Sequence, residues 1–120
     1  MASKLRVLIV EDNSDLRRLY AIGLNKRGFE VKLAANGAEA VDRIRVENPD
    51  IILLDWIMPL MNGSDVLARI GENGSRDVPV IVISGQPAPD ELDPRILCWL
   101  TKPVSIADLV TEIQRPLVVD

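Results

Sequence analysis

The sequence predicts an α/β domain in which helices wind onto both faces of a parallel sheet. Four short, continuous apolar runs, residues 7–10, 51–54, 80–83 and 96–100, are dominated by Val, Ile and Leu. Runs of that length suit strands buried on both faces, as in parallel sheets covered by helices. A fifth segment, residues 30–33, alternates polar and apolar side chains and reads as a half-exposed edge strand. Segments with helical spacing fill the gaps between them, and this alternation implies right-handed crossovers and a doubly wound sheet.

Each helix has its own signature. Leu16, Leu19, Tyr20 and Leu24 form one stripe, with Arg17, Arg18 and Lys26 outside it and Gly28 as a stop signal. Ala38, Val41 and Ile44 form a second, opened by Asn36 and Gly37 and closed before Pro49. Gly63, Val66, Leu67 and Ile70 form a third, ended by a loop over residues 71–75. Ile106, Leu109, Val110, Ile113 and Leu117 form the last, and Ser105 with Asp108 makes a capping-box signature at its start. Between the fourth and fifth strands the pattern fails. Pro87, Pro89 and Pro94 leave room for at most about two helical turns, so this fourth helix is expected to be short or irregular, or replaced by a loop.

Composition narrows the function classes. Hydrophobic residues make up 48% of the 120 residues, enough for a core in one domain. Two Trp, one Tyr and one Phe mean that this core is aliphatic. A net charge of −4 argues against nucleic-acid binding, which shows as clustered Lys and Arg. The absence of histidine excludes His-based metal sites and His-dependent nucleophilic triads. The single Cys98 cannot form an internal disulfide, and its apolar surroundings read as those of a buried, inert thiol. No secretory pattern opens the chain and no apolar run approaches ~18 residues, so a cytoplasmic protein without membrane association is expected.

In open parallel sheets, ligands bind beyond the carboxyl ends of the strands. Here the first strand ends in Glu11 and Asp12, the third in Asp55, the fourth in Ser84 and Gly85, and the fifth in Thr101, Lys102 and Pro103. Three carboxylates, a hydroxyl and an ammonium thus converge on one edge. Packed carboxylates repel unless a cation sits among them, and a hard ion such as magnesium takes carboxylates together with waters and phosphate oxygens. Lysine supplies a point charge for a phosphate oxygen, and the set suits phosphoryl transfer by positioning and charge neutralisation. No Gly-rich phosphate loop follows the first strand, which disfavours nucleotide binding. Plainer readings compete. Asn13, Ser14 and Asp15 are read as capping residues of the first helix. For Asp12 capping and ligation stand level until the other strand ends are weighed with it. Lys102 or Ser84 alone would be a surface lysine or a turn residue.

The run Asp55, Trp56, Ile57, Met58, Pro59, Leu60, Met61, Asn62, Gly63 resembles the phosphoacceptor motif of response-regulator receiver domains. The acidic end Glu11-Asp12, the pair Ser84-Gly85 and the pair Lys102-Pro103 resemble that family's other motifs, in the same order. The resemblance implies a flavodoxin-like sheet of order 2-1-3-4-5 and a single receiver domain over residues 1–120. It implies that Asp55 takes a phosphoryl group from a histidine kinase or histidine phosphotransfer protein, and that a downstream effector reads the result. Asp12, Asp55 and the backbone carbonyl of Ile57 would ligate Mg2+, with Glu11 acting mainly through water. Lys102 would pair with the phosphoryl oxygens, while Ser84 and Trp99 would be the switch residues.

Some positions depart from the pattern. Glu11 stands where an Asp is usual. Trp56 is unusually large, and would shield the phosphoryl group or shape the partner surface. Ile57 offers no polar group to orient an attacking water, which predicts slow self-hydrolysis. Two other functions compete with this one. A haloacid-dehalogenase-like phosphatase would need an acid at Ile57 and a longer chain for its cap. An inert receiver-like module would have lost Asp55, Lys102 or the acidic pair, and all are present. A stand-alone regulator and the receiver of a hybrid histidine kinase both remain open.

Overall fold

A computed structural model describes residues 4–72 and 78–115. The chain runs β1 (Arg6–Val10), α1 (Ser14–Lys26), β2 (Glu30–Ala34), α2 (Gly37–Glu47), β3 (Ile51–Asp55), α3 (Gly63–Glu72), β4 (Val80–Ser84), β5 (Ile96–Thr101) and α4 (Ile106–Gln114). All four strand pairings are parallel and the order is β2-β1-β3-β4-β5, as expected.

Three of the four continuous apolar runs occupy the three central positions; the fourth, residues 96–100, was expected to be covered on both faces but forms the edge strand β5 and is only partly buried. Every residue of β3 and β4 is buried, and so are residues 7–10 of β1. Alternate side chains feed two cores. Leu8, Val10, Ile52, Leu54, Val80 and Val82 pack with α2 and α3, while Val7, Ile9, Leu53, Ile81 and Ile83 pack with α1 and α4. Each fully buried Val, Leu or Ile contributes about 1.5–3 kcal/mol relative to exposure. β2 is largely exposed, as an edge strand with polar alternation should be.

The helix ends follow local rules. Asn13, Asn36 and Ser105 are N-caps, their side-chain oxygens accepting the amides of Leu16, Glu39 and Asp108. Gly28, at φ +94°, closes α1: its amide donates to Asn25 and that of Phe29 to Leu24, with Phe29 buried behind it.

Two expected faces shift. Leu19 is 55% exposed, and Ala21 takes its place beside Tyr20 and Leu24. On α2, Ala38 is exposed and the inward stripe is Gly37, Ala40 and Ile44. In both helices the inward face is turned by about half a helical turn or less at one position, which the tertiary partner decides rather than the spacing. Gly71 and Glu72 are still helical, so the loop does not begin at Gly71; residues 73–75 of the expected loop, and Leu117, lie outside the described residues.

Between β4 and β5 the proline-rich stretch is a loop with turns and no helix, so the loop alternative holds there. β5 then carries a register shift: Val80 pairs with Ile96 but Ile81 with Cys98, leaving Leu97 without a partner strand residue and 45% exposed. A bulge reverses the side-chain alternation. Ile96 and Trp99, three apart, therefore face the same core. Cys98 turns to the other core, where it is half-buried rather than fully buried.

Candidate functional site

The parallel register sets the carboxyl ends of the strands side by side. Val10 lies opposite Leu54 and Asp55 opposite Ile83, so the residues leaving β1 sit next to the last residue of β3. Ser84 lies opposite Thr101, and the Lys102 amide donates to the Ser84 carbonyl at 2.8 Å. The Lys102–Pro103 peptide is cis.

Oxygens of Glu11, Asp12 and Asp55 all lie within 4.8 Å of one another. Glu11 is 2% exposed and Asp55 5%, whereas Asp12 faces solvent. Lys102 Nζ stands 3.1 Å from Glu11 Oε1 and 3.6 Å from Asp55 Oδ1. The other Glu11 oxygen accepts the Asn13 amide at 3.2 Å. Ile57, Gly85 and Gln86 complete the open cleft around these groups.

Burial pushes the Asp55 carboxyl up to about 7, helped by its hydrogen bond to Glu11 and by the Glu11 charge, with Lys102 opposing. Burial works to lower the Lys102 pKa, but the hydrogen bond to Glu11 and the charges of Asp55 and Glu11 outweigh it, and the net direction is up. Tyr20, buried beneath the cleft, has its phenol raised, by burial first. Ionised, three carboxylates against one ammonium leave two negative charges uncompensated, which is the charge of a divalent cation. An all-oxygen donor set open to water on the Asp12 side fits a hard ion of the magnesium type.

The structure thus brings together Glu11, Asp12, Asp55 and Lys102, with Ile57 on the wall. The two expected switch residues stand back from the cleft. Ser84 is fully buried, and its Oγ accepts the Gln86 amide at 3.1 Å. Trp99 donates its indole N–H to the Gln86 carbonyl at 2.8 Å. Its ring packs against Trp56 with centroids 5.1 Å apart and planes tilted by 58°. Trp56 therefore turns away from the carboxylates, toward Trp99 and Gly63, rather than over them.

The family profile of the response regulator receiver domain matches residues 7–114. This chain belongs to that family. The receiver domain is 37% identical over 117 residues to the response regulator receiver protein CpdR of Brucella abortus, covering 94% of this chain and 97% of that protein. It is 36% identical over 116 residues to the transcriptional regulatory protein PrrA of Mycobacterium leprae, of which it spans only 49%. Among solved structures it resembles a CheY-like receiver domain protein from Methanospirillum hungatei, with a TM-score of 0.85 and 26% identity over 96% of this chain and 94% of that one. The chemotaxis protein CheY4 of Vibrio cholerae aligns with a TM-score of 0.83 and 26% identity, covering 94% and 98%. Among the described residues no helix is long and apolar enough to cross a membrane.

Sequence reasoning missed three features of this receiver. Arg17, assigned to the outer face of α1, reaches back to the backbone of the acidic turn. Gln86 ties Ser84 to Trp99, and its signal is no more than its place two residues after Ser84. The Trp56–Trp99 contact depends on the β5 bulge, which no local pattern marks.

Proposed function

We propose that this receiver domain accepts a phosphoryl group on Asp55, in the presence of Mg2+, and works as a signalling switch rather than as a turnover enzyme. The observation that carries the reading is the buried Asp55 carboxylate, 3.6 Å from the Lys102 ammonium and clustered with two further acids. An Asp55 oxygen attacks phosphorus, forming an O–P bond as the P–N bond of a donor phosphohistidine breaks, and the departing imidazole takes a proton. Asp12, Asp55 and the Ile57 carbonyl would hold the ion, with Glu11 contributing through water. When bound, Mg2+ supplies charge neutralisation for the phosphoryl oxygens and favours ionised Asp55. Lys102 orients and neutralises a phosphoryl oxygen.

The switch acts through Gln86. Ser84 gives up the Gln86 amide to bond the phosphoryl group, and this moves the peptide that holds the Trp99 indole. A histidine kinase or histidine phosphotransfer protein is the donor, and an effector protein or domain the reader. The single domain proposed over residues 1–120 matches one relative along nearly its whole length and others along about half. Both a free-standing regulator and part of a larger protein therefore have parallels.

The test is incubation with Mg2+ and acetyl phosphate followed by intact mass. One added phosphoryl group, hydroxylamine-labile and absent in Asp55→Asn, is expected. No adduct on the wild type would overturn the reading in favour of an inert module.

A further inference from the structure

The carboxylate trio has an uneven footing. Glu11 and Asp55 are fixed by burial within the sheet end, but Asp12 is exposed, on the turn between β1 and α1. What fixes that turn from behind is Arg17. Its guanidinium Nη1 donates to the Glu11 carbonyl at 2.9 Å and approaches the Asp12 carbonyl at 3.5 Å. Arg17 is half-buried on the first turns of α1, while its neighbour Arg18 is exposed and makes neither contact.

Charge alone would make this a poor place for an arginine beside a divalent-cation site, since like charges repel. The hydrogen bonds act in the opposite direction. They secure two carbonyls that leave the sheet ladder just where the acidic side chains must converge, and outer partners that orient ligands govern metal affinity.

We propose that Arg17 is a positioning residue for the cation site, clamping the Glu11 and Asp12 carbonyls so that the Asp12 carboxylate is held against Asp55. This inference rests on the cation reading given under the proposed function. The two effects of Arg17 predict opposite signs, and that makes the clamp testable.

The experiment is an amide chemical-shift titration of the whole chain with MgCl2 alone, at constant ionic strength, comparing wild type with Arg17→Met, Arg17→Lys and Arg18→Met. Arg17→Met is expected to raise the Mg2+ Kd by roughly tenfold. Arg18→Met, which removes the same charge one residue away, is expected to stay within about twofold of wild type. Arg17→Lys recovers part of the loss, because its ammonium is also a donor but sits on a side chain one bond shorter than the one that carries Nη1 to both carbonyls. Tighter binding by Arg17→Met, unchanged binding, or an equal loss in Arg18→Met would each overturn the clamp. Should Arg17→Met fail to fold, Arg17→Lys decides alone: severalfold weaker binding supports the clamp and wild-type affinity overturns it. A wild type that shows no Mg2+-dependent shifts would instead overturn the cation site itself, and the clamp with it.

Discussion

Consider Asp55→Asn in the metal-free protein. Burial, with the Glu11 contact second, raises the Asp55 carboxyl from its ordinary 3.8 to about 7. The folded state therefore holds a proton that the unfolded chain releases near pH 4, and stability falls as pH rises through the interval between the two values. Each pH unit of that interval is worth about 1.4 kcal/mol, so above pH 7 the ionised Asp55 costs the fold on the order of 4 kcal/mol. Asparagine removes this dependence, and with it the repulsion between Asp55 and Glu11. The stability of Asp55→Asn minus that of wild type is then expected to rise by about 4 kcal/mol between pH 4 and pH 8. Urea unfolding followed by far-UV circular dichroism, in chelator, at steps of one pH unit measures it. Mg2+ at 100 times its Kd should return about 2.7 kcal/mol to the wild type at pH 8. A difference that stays flat across this range would refute the argument, because it would mean that the carboxylate is already compensated without a cation.

Other outcomes follow from single residues. Ile57 lines the cleft and is 56% exposed, so Ile57→Asn should place an amide where it can orient water. The aspartyl-phosphate lifetime should shorten by roughly tenfold, and an unchanged lifetime would sink the idea. A side chain at Gly28 meets nothing within 4 Å, yet φ is +94°. Gly28→Ala should therefore cost about 1–2 kcal/mol through the backbone alone. Gly71→Ala, equally open but helical, should be neutral or stabilising by up to about 1 kcal/mol, and paired urea curves give both values. Burial, with the Glu112 charge second, pushes the Cys98 thiol up to about 11. Its reaction with a disulfide reagent at pH 8 should lag well behind that of the urea-unfolded chain.

What could be read from the sequence was whatever depends on local pattern or on the general geometry of parallel sheets. Continuous Val, Ile and Leu runs marked β1, β3 and β4 as doubly covered, and the strand ends then brought Asp55, the acidic pair and Lys102 together. The prolines marked the helix-free connection. What escaped was decided by packing partners. Leu19 and Ala38 fit helical stripes as well as the residues that were buried instead, and only the neighbouring elements choose between them. Cys98 sits in an apolar run but on an edge strand, whose second side is open. Arg17 has the composition of a solvated face and the geometry of a brace.

The bulge at Leu97 also has an optical consequence. By turning Trp99 to the side of Trp56, it gathers both tryptophans of the chain into one tilted pair 5.1 Å apart. All tryptophan emission of this protein therefore originates from a single spot between β3 and β5, at the margin of the carboxylate cleft but not within it. Two indoles at that separation share their excited states, so their near-ultraviolet circular dichroism registers the angle between the rings and vanishes when the strands part. A cation held by Asp55 and the Ile57 carbonyl would reach this pair by two routes, through Trp56, which lies between them in the chain, and through Gln86, whose carbonyl holds the Trp99 indole. Light from the pair is thus a reporter of the site and of the relay together.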